Sequence, residues 1–141
     1  MSVGREISAW SLRFGVNYLN VDPTASNGVK FLTKIKNAVQ FNLSDVLSLG
    51  PPPPNNLAVP VFQYGSMEAE LYQPQQSDTQ TPHTRDEIYV VAIGHAEFFN
   101  GADVVQVQQG AFIFVPAGIE HRFLNFSSDF AVWVFFIARV G

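Results

Sequence analysis

The chain has 141 residues, of which 47% are hydrophobic and 14% are charged, so it fits one domain that can bury a sizeable core. Its formal net charge of −4 argues against nucleic acid or an anionic membrane as the main partner. It contains no cysteine, which excludes disulfides and thiolate metal sites. Any transition-metal site must therefore be built from carboxylates and three histidines.

Residues 1–36 carry an excess of basic side chains, whereas the rest of the chain carries an excess of acidic ones. We interpret this segment as a solvated arm rather than a surface for an acidic partner. Glu6, Arg13 and Asn17 interrupt its apolar residues, so it lacks the continuous core of a signal peptide. The apolar run at 130–138 is far shorter than the roughly 20 residues of a membrane span. A cytoplasmic protein is the expectation.

The sequence NLSDVLSLG at 42–50 predicts one short helix, with Asn42 or Ser44 as its N-cap and Gly50 as its terminator. The following PPPPNN can neither continue a helix nor join a central strand, so it predicts a stiff extended linker. The expected organisation is an arm with a short helix at 1–50, a linker at 51–56 and one β domain at 57–141.

From residue 57 onward, short runs rich in β-branched and aromatic residues alternate with turn residues. This pattern predicts about eight strands and an all-β antiparallel sandwich or barrel. Pro60 places its strand at an edge or a bulge. Asn100-Gly101 predicts a two-residue type I′ hairpin. The strand at 130–138 is apolar on both faces, so both should be covered, and a second subunit is one candidate cover.

The stretch GAFIFVPAGIEHRFLN at 110–125 predicts a buried strand that ends at a tight Pro-Ala-Gly turn. His121 then opens the next strand. Alternation along that strand puts His121, Phe123 and Asn125 on one face. A histidine just after a rigid turn is well placed to project into a barrel.

The stretch QTPHTRDEIYVV at 80–91 contains a second candidate pair, His83 and Glu87. On a straight strand these two residues would be about 13 Å apart, too far to share one ion. A helix would bring them together, but Pro82 and the following β run oppose one. We therefore favour a turn at 84–86, with His83 ending one strand and Glu87 beginning the next. The strand phase then places Tyr89 on the same face as Glu87.

The stretch at 110–125 resembles the second signature motif of the cupin superfamily, in which the spacing of one proline, two glycines, one histidine and one asparagine is fixed. Every fixed position matches, and these are Gly110, Pro116, Gly118, His121 and Asn125. The first cupin motif is matched in part. His83, Glu87 and Gly94 fit its second histidine, its glutamate and its closing glycine, whereas Thr81 stands where its first histidine belongs.

The resemblance implies a small jelly-roll β-barrel, commonly a homodimer, with a divalent metal ion inside. Carried over by position, the ligands would be His83, Glu87 and His121. Two imidazoles and one carboxylate suit Fe(II), and also Mn, Ni, Co or Zn. The implied role of Asn125 is to hold its turn by hydrogen bonding.

Thr81 leaves three interpretations of the site open, because a neutral hydroxyl is a poor ligand for a transition metal. The site could work with three ligands, it could be weak or metal-free, or Gln80 or Asp78 could complete a four-ligand site. The candidates for the substrate pocket are Thr81, Gln80, Tyr89, Phe123, Tyr72 and Trp133.

His95 at a turn is expected to face solvent. Arg85 and Arg122 are candidate anion anchors, but we expect them to face solvent or to form salt bridges. No separate acid–base residue stands out, with Tyr89 and Thr81 the weak candidates. The main hypothesis is a metal-dependent enzyme, an oxygenase, isomerase or lyase/decarboxylase, that acts on a small organic molecule. The alternatives are a non-catalytic barrel that binds or senses a small ligand or metal, and a structural dimer without a site.

Overall fold

The computed structural model describes residues 38–138, which form eight strands in two antiparallel sheets and one short helix. The predicted arm at 1–36 lies outside the described residues. The elements are helix α1 (Leu43–Leu47) and strands β1 (Val59–Tyr64), β2 (Met67–Tyr72), β3 (Asp86–Ile93), β4 (His95–Phe99), β5 (Val104–Gln108), β6 (Phe112–Val115), β7 (Arg122–Leu124) and β8 (Ala131–Ile137).

The two sheets face each other across one apolar core. The larger sheet has the strand order β1-β2-β8-β3-β6 and the smaller one has the order β5-β4-β7. Tyr89 and Val134 of the larger sheet are buried in the same cluster as Phe98 and Phe123 of the smaller sheet. Two antiparallel sheets closed over a shared core confirm the predicted all-β jelly-roll barrel.

Strand β8 lies at the centre of the larger sheet, paired with β2 on one side and β3 on the other. Its even-numbered residues, among them Val134 and Phe136, are buried in the core between the sheets. Its odd-numbered residues, among them Trp133 and Phe135, lie on the outer face. Because successive side chains alternate between faces, this central strand fixes which residues of β2 and β3 point inward.

Helix α1 covers one end of the outer face. Its Val46, together with Leu49 just after the helix, packs against Val59 and Leu71 of the sheet. It begins after Asn42, as the sequence predicts, although the Asn42 side chain bonds to the Asp45 carboxylate (Nδ2 to Oδ2, 3.0 Å) instead of capping a backbone N–H. In the described part of the chain, no helix is long and apolar enough to cross a membrane.

Pro60 lies in the edge strand β1, and the register of β1 with β2 shifts between Pro60 and Phe62. The edge position and the bulge agree with the prediction, because proline has no N–H for a ladder bond. The linker at 51–56 is less extended than predicted, since the Asn56 N–H donates to the Pro53 carbonyl (3.0 Å) and closes a turn.

The predicted two-residue hairpin at Asn100-Gly101 is wrong, because the loop between β4 and β5 has four residues, Asn100–Asp103. The Asn100 side-chain oxygen accepts the backbone N–H groups of Ala102 (3.1 Å) and Asp103 (2.9 Å). This side-chain turn stabilises a longer loop, so the chain does not need the mirror-image turn. Gly101 keeps a positive φ of 95° within it.

Gly94 connects β3 to β4 where the chain packs closely against the turn at 127–130. Its φ is +81°, and a Cβ at this position would overlap the side chains of Ser127 and Asp129 and lie 2.9 Å from Phe130 Cα. Gly110 has a similar φ of +90°, but no atom of the described residues lies within 4 Å of a Cβ built there. The two glycines of the motifs therefore differ in steric freedom and not in backbone conformation.

Gly94→Ala is expected to lower the free energy of unfolding by more than about 3 kcal/mol, because it adds steric overlap to the strain of a left-handed conformation. Gly110→Ala is the matched control and should cost only the strain, about 1–2 kcal/mol. Denaturant unfolding of both variants measures the difference. Equal losses would contradict the close packing of Gly94 against the 127–130 turn.

Candidate metal centre

His83 lies in the loop that precedes β3, and Glu87 is the second residue of that strand. A bend at Thr84 and Arg85 turns the chain between them. As a result, His83 Nε2 lies 3.2 Å from Glu87 Oε1. The bend brings the pair together as the sequence prediction requires, although His83 ends no strand.

The Pro-Ala-Gly turn that follows β6 holds this loop in place. The Gly118 N–H donates to the His83 carbonyl oxygen (2.8 Å). The Ala117 N–H donates to Asp86 Oδ1 (2.8 Å). Two hydrogen bonds therefore join the segment of His83 to the segment of His121, which follows the same turn by three residues. The left-handed conformation of Gly118, with φ +83°, makes this tight turn possible.

His121 completes a three-residue cluster with His83 and Glu87. His121 Nε2 lies 3.1 Å from Glu87 Oε2, and one ligand atom from each of the three residues lies within 4.8 Å of the others. Two ligands bonded to one ion at about 2.1 Å and at right angles are about 3 Å apart. The separations in the cluster therefore have the size that a shared divalent ion requires.

The hydrogen bonding of His121 directs a lone pair at the carboxylate. The His121 Nδ1–H donates to the Ile119 carbonyl oxygen (2.8 Å), so in the neutral ring Nε2 carries no proton. Glu87 is only 1% exposed, and no N–H or O–H of the described residues is aimed at its Oε2. Two acceptor atoms thus face each other inside the core. This arrangement is stable only with a cation between them, either a metal ion or a proton.

Tyr89 adds one donor to a cluster that is rich in acceptors. Its hydroxyl lies 2.9 Å from Gln80 Oε1, 3.2 Å from Glu87 Oε1 and 3.0 Å from His121 Nε2. One hydroxyl proton can satisfy only one of these three acceptors at a time. Gln80 does not supply a donor to the cluster, because its Oε1 faces Tyr89 and its Nε2 is directed at Asp78 Oδ2 (2.8 Å).

The two imidazoles respond differently to this environment. Burial is the main reason that the pKa of His83 is lowered, which favours its neutral, ligand form. Burial also opposes a charge on His121, but its hydrogen bonds with Glu87 and with the Ile119 carbonyl outweigh that effect and raise the pKa of His121. A proton on His121 is therefore how the metal-free protein satisfies the Glu87 carboxylate, and a divalent ion would replace that proton.

Asp78 is a buried carboxylate that supports the site without joining it. It accepts hydrogen bonds from the Tyr72 hydroxyl (2.8 Å), from the Phe123 N–H (2.8 Å), and from both the backbone and the side chain of Gln80. Both carboxylate oxygens are used by these donors. The structure therefore argues against Asp78 as a fourth ligand, whereas Gln80 Oε1, 3.5 Å from His83 Nε2, lies beside the cluster.

The other predicted pocket residues lie at different depths. Tyr89 is in the cluster, and Phe123 packs edge-on against it with the two ring centres 5.2 Å apart. Tyr72 is buried and donates its hydroxyl to Asp78. Thr81 is exposed, and no hydrogen bond joins its side chain to the cluster within residues 38–138. Trp133, another pocket candidate, lies instead on the outer face, because of the alternation of β8, and packs in the apolar cluster that contains Val46 of helix α1.

Three other residues named from the sequence, Asn125, His95 and Arg122, lie in a turn or at the surface. Asn125 has a φ of +46°, and its side chain donates to Glu97 Oε2 (2.7 Å), which stabilises the turn after β7. His95 is exposed. Arg122 forms an ion pair with Glu120 (2.8 Å) at the surface.

A cavity of about 290 Å³ opens on the His83 side of the cluster. His83, Arg85 and Phe136 line it, together with two acidic residues of β2, Glu68 and Glu70. These two acids were not among the predicted site residues, because alternating acidic and apolar residues usually mark a solvent-facing strand. The phase of Tyr72, two residues after Glu70, was the available indication that this face points inward.

Comparison with protein families gives one match, which covers nearly half of the chain on its C-terminal side. A model of the cupin domain family matches residues 69–137, which include all three residues of the cluster. An uncharacterized protein of Streptomyces coelicolor is 42% identical over 60 residues, which are 43% of this chain. The matched region spans 57% of the length of that relative.

Solved structures give the same fold. A cupin-2 domain containing protein from Shewanella frigidimarina matches 70% of this chain and 94% of its own, with 17% identity and a TM-score of 0.54. A conserved protein of unknown function from Streptococcus pyogenes matches 82% of this chain and 100% of its own, with 18% identity and a TM-score of 0.55. Identities this low establish the fold and not the activity.

Asp78→Asn is expected to lower the free energy of unfolding by about 3 kcal/mol, because an amide NH₂ would face donors that the carboxylate now accepts. Urea unfolding measures the loss. Asp103→Asn, at an exposed position of the β4–β5 loop, is the matched control and should stay within about 0.5 kcal/mol of the wild type. A small effect at Asp78 would show that its hydrogen bonds do not hold the site together.

Proposed function

The chain belongs to the cupin superfamily, with its cupin domain at residues 69–137, and we propose that this domain binds one divalent metal ion through His83, Glu87 and His121. The observation that carries the proposal is the buried Glu87 Oε2, which lies 3.1 Å from His121 Nε2 and receives no hydrogen bond from the described residues while His121 is neutral. A cation at this point removes the repulsion between the two acceptors and supplies the charge that the buried carboxylate lacks.

The donor set limits the ion to a borderline transition metal. Two imidazoles and one carboxylate suit Fe(II), Mn, Ni, Co or Zn, and three protein ligands leave coordination positions open for a ligand. Such an ion supplies Lewis-acid or redox chemistry to a molecule bound beside it.

The residues of the chain have separate roles around that ion. The Ile119 carbonyl holds the His121 ring in its ligand tautomer, and the Tyr89 hydroxyl restrains Glu87 and His121. Phe98 and Phe123 close the inner side of the cluster and exclude water. His83 is the most exposed of the three proposed ligands, with 29% of its side chain accessible, so a small molecule would approach from its side.

We propose that this small molecule is an organic substrate, which would make the protein a metal-dependent oxygenase, isomerase or lyase/decarboxylase. The cavity beside His83 supports this role, since it combines apolar walls with polar groups next to the ion site. The alternative is a non-catalytic barrel that binds or senses its ligand. Turnover of candidate substrates by the Fe(II)- and Mn-loaded protein distinguishes the two.

Wild-type protein is expected to retain about one divalent ion per chain after loading and dialysis. His121→Ala should lose it, with a fall in affinity above the roughly 10–100-fold that outer-shell changes cause, because it removes a direct ligand. Elemental analysis of the dialysed protein measures the stoichiometry. His95→Ala, an exposed histidine outside the cluster, is the matched control and should keep the ion. Full retention by His121→Ala would exclude this site.

We propose further that two copies pair through the outer face of the larger sheet. Phe112 is 67% exposed and Phe114 is 55% exposed on the edge strand β6, and Ile137 of β8 lies on the same face. Ile88 and Phe135 continue the apolar surface between them through direct cross-strand pairing. A contiguous apolar face of this kind is typical of subunit interfaces, and pairing with a second copy would cover it.

Phe114→Lys is expected to convert a homodimer to a monomer, because it places a charge at the centre of the apolar face. Light scattering after gel filtration measures the mass. Val104→Lys is the control, since Val104 is 52% exposed but lies on the smaller sheet. A monomeric wild type at tens of micromolar, or a dimeric Phe114→Lys, would contradict this interface.

A further inference from the structure

Glu70 points into the barrel rather than to solvent. On strand β2, Leu71 packs with Val46 of helix α1 on the outer face, and Tyr72 lies in the core between the sheets. The even-numbered residues of β2 therefore face inward. In the ladder, Glu70 pairs with Val134, and Val134 pairs in turn with Tyr89 of the cluster. The Glu70 backbone is therefore two strands, about 10 Å, from that of Tyr89 on the same inner face.

Glu70 and His83 both line the cavity of about 290 Å³, which is partly open to solvent. The Phe136 ring is an apolar part of its lining, and the Arg85 guanidinium lies 4.4 Å from the centre of that ring. The volume suits a molecule of metabolite size. A ligand that reached the proposed ion from the His83 side would occupy this cavity and contact Glu70.

Glu68 and Glu70 line the same wall but differ in their partners. Glu68 accepts a hydrogen bond from the Gln63 side chain (2.8 Å) and forms an ion pair with Arg85 (3.1 Å). Across residues 38–138, no hydrogen bond or ion pair to the Glu70 carboxyl is formed. Glu68 is thus bound within the protein, whereas Glu70 is available to a ligand.

The surroundings of Glu70 also place its ionisation near neutral pH. Burial is the main cause, and repulsion from Glu68 and Glu87 adds to it, while Arg85 acts in the opposite direction; together they raise the pKa of Glu70 to about 7. Burial lowers the pKa of His83, the histidine of the cavity, which favours its neutral form. A carboxyl with this pKa can either donate or accept a proton at physiological pH.

We propose that Glu70 is the residue that exchanges a proton with the ligand of this cavity, and that the ligand is a small neutral molecule carrying hydroxyl groups. This inference rests on the proposed function, because one hydroxyl oxygen would lie at the ion and face Glu70. The charge of the cavity favours a neutral ligand. Arg85 is already paired with Glu68, so a carboxylate ligand would meet Glu70 without a free counter-ion among the described lining residues.

The proton transfer balances without any further reactant. The hydroxyl O–H bond of the ligand breaks, its electron pair stays on the ligand oxygen, and the proton forms an O–H bond with the Glu70 carboxylate. The products are a neutral carboxylic acid and a ligand oxyanion beside the ion. The reverse step makes Glu70 a proton donor to the product.

The first test measures Glu70 directly by carboxyl-carbon NMR titration of the full chain, with Glu70→Gln used to assign the signal. The metal-free protein should titrate at Glu70 near pH 7, and loading with zinc should lower that midpoint because the ion adds nearby positive charge. A Glu70 midpoint near the ordinary value of about 4.3, or no response to zinc, would overturn the inference.

The second test counts protons by calorimetry when catechol, a neutral diol, binds to the zinc-loaded protein at pH 8 in buffers of different ionisation enthalpy. Glu70→Gln should release about one more proton to the buffer per bound catechol than the wild type, since in the wild type the neighbouring oxyanion raises the pKa of Glu70 and keeps the accepted proton there. Glu68→Gln, on the same wall, is the matched control and should resemble the wild type. Equal proton release by the two variants would overturn the role of Glu70.

The two tests separate failure of this inference from failure of the metal site. Zinc binding without catechol binding would overturn the proposed ligand class and leave the metal site intact. Absence of zinc binding would overturn the proposed function, and the NMR titration of the metal-free protein would still decide whether Glu70 ionises near pH 7.

Discussion

A carboxylate buried among aromatic rings sets the constraint on which the site depends. Glu87 is 1% exposed, and its charge must be balanced inside the core. His121 and Tyr89 contact it, but they offer it few protons. The His121 Nδ1–H is already donated to the Ile119 carbonyl, and the Tyr89 hydroxyl has one proton for three neighbouring acceptors. The cluster therefore has more hydrogen-bond acceptors than protons to satisfy them, and one acceptor carries a negative charge. A cation is the chemical species that satisfies it, and this need underlies the proposed function.

The rest of the barrel holds these groups within bonding distance. The central ladder between β3 and β8 fixes the inward direction of Glu87. Two hydrogen bonds from the turn after β6 hold the loop of His83, and Asp78 ties that loop to β7. The cluster is open on one side, where the cavity lies. Because the even-numbered residues of β2 face inward, Glu70 reaches that cavity. The fold therefore supplies both the proposed ion site and the proposed proton-exchanging group beside it.

The strand pattern and the spacing of the two motifs could be predicted from the sequence because both depend on local features. Alternation and turn residues predict eight strands, and the fixed intervals around His121 predict a tight turn before it. The directions of side chains were harder to predict, because β8 is apolar on both faces and its alternation cannot say which face is inside. Trp133 was therefore only a candidate for the pocket, and the sheet places it on the outer face. Glu70 was missed because its inward direction is set by the pairing of β2 with the distant strand β8, and not by its own neighbours in the sequence.

The central claim is that one divalent ion lies between His83, Glu87 and His121. Anomalous diffraction from crystals of the manganese- or zinc-loaded protein, recorded on both sides of the absorption edge of the metal, tests it most directly. The account predicts a single strong peak per chain, about 2.0–2.2 Å from His83 Nε2, His121 Nε2 and a Glu87 carboxylate oxygen. A fully loaded protein with its peak elsewhere, for example at His95, or with no peak in the barrel, would contradict the account.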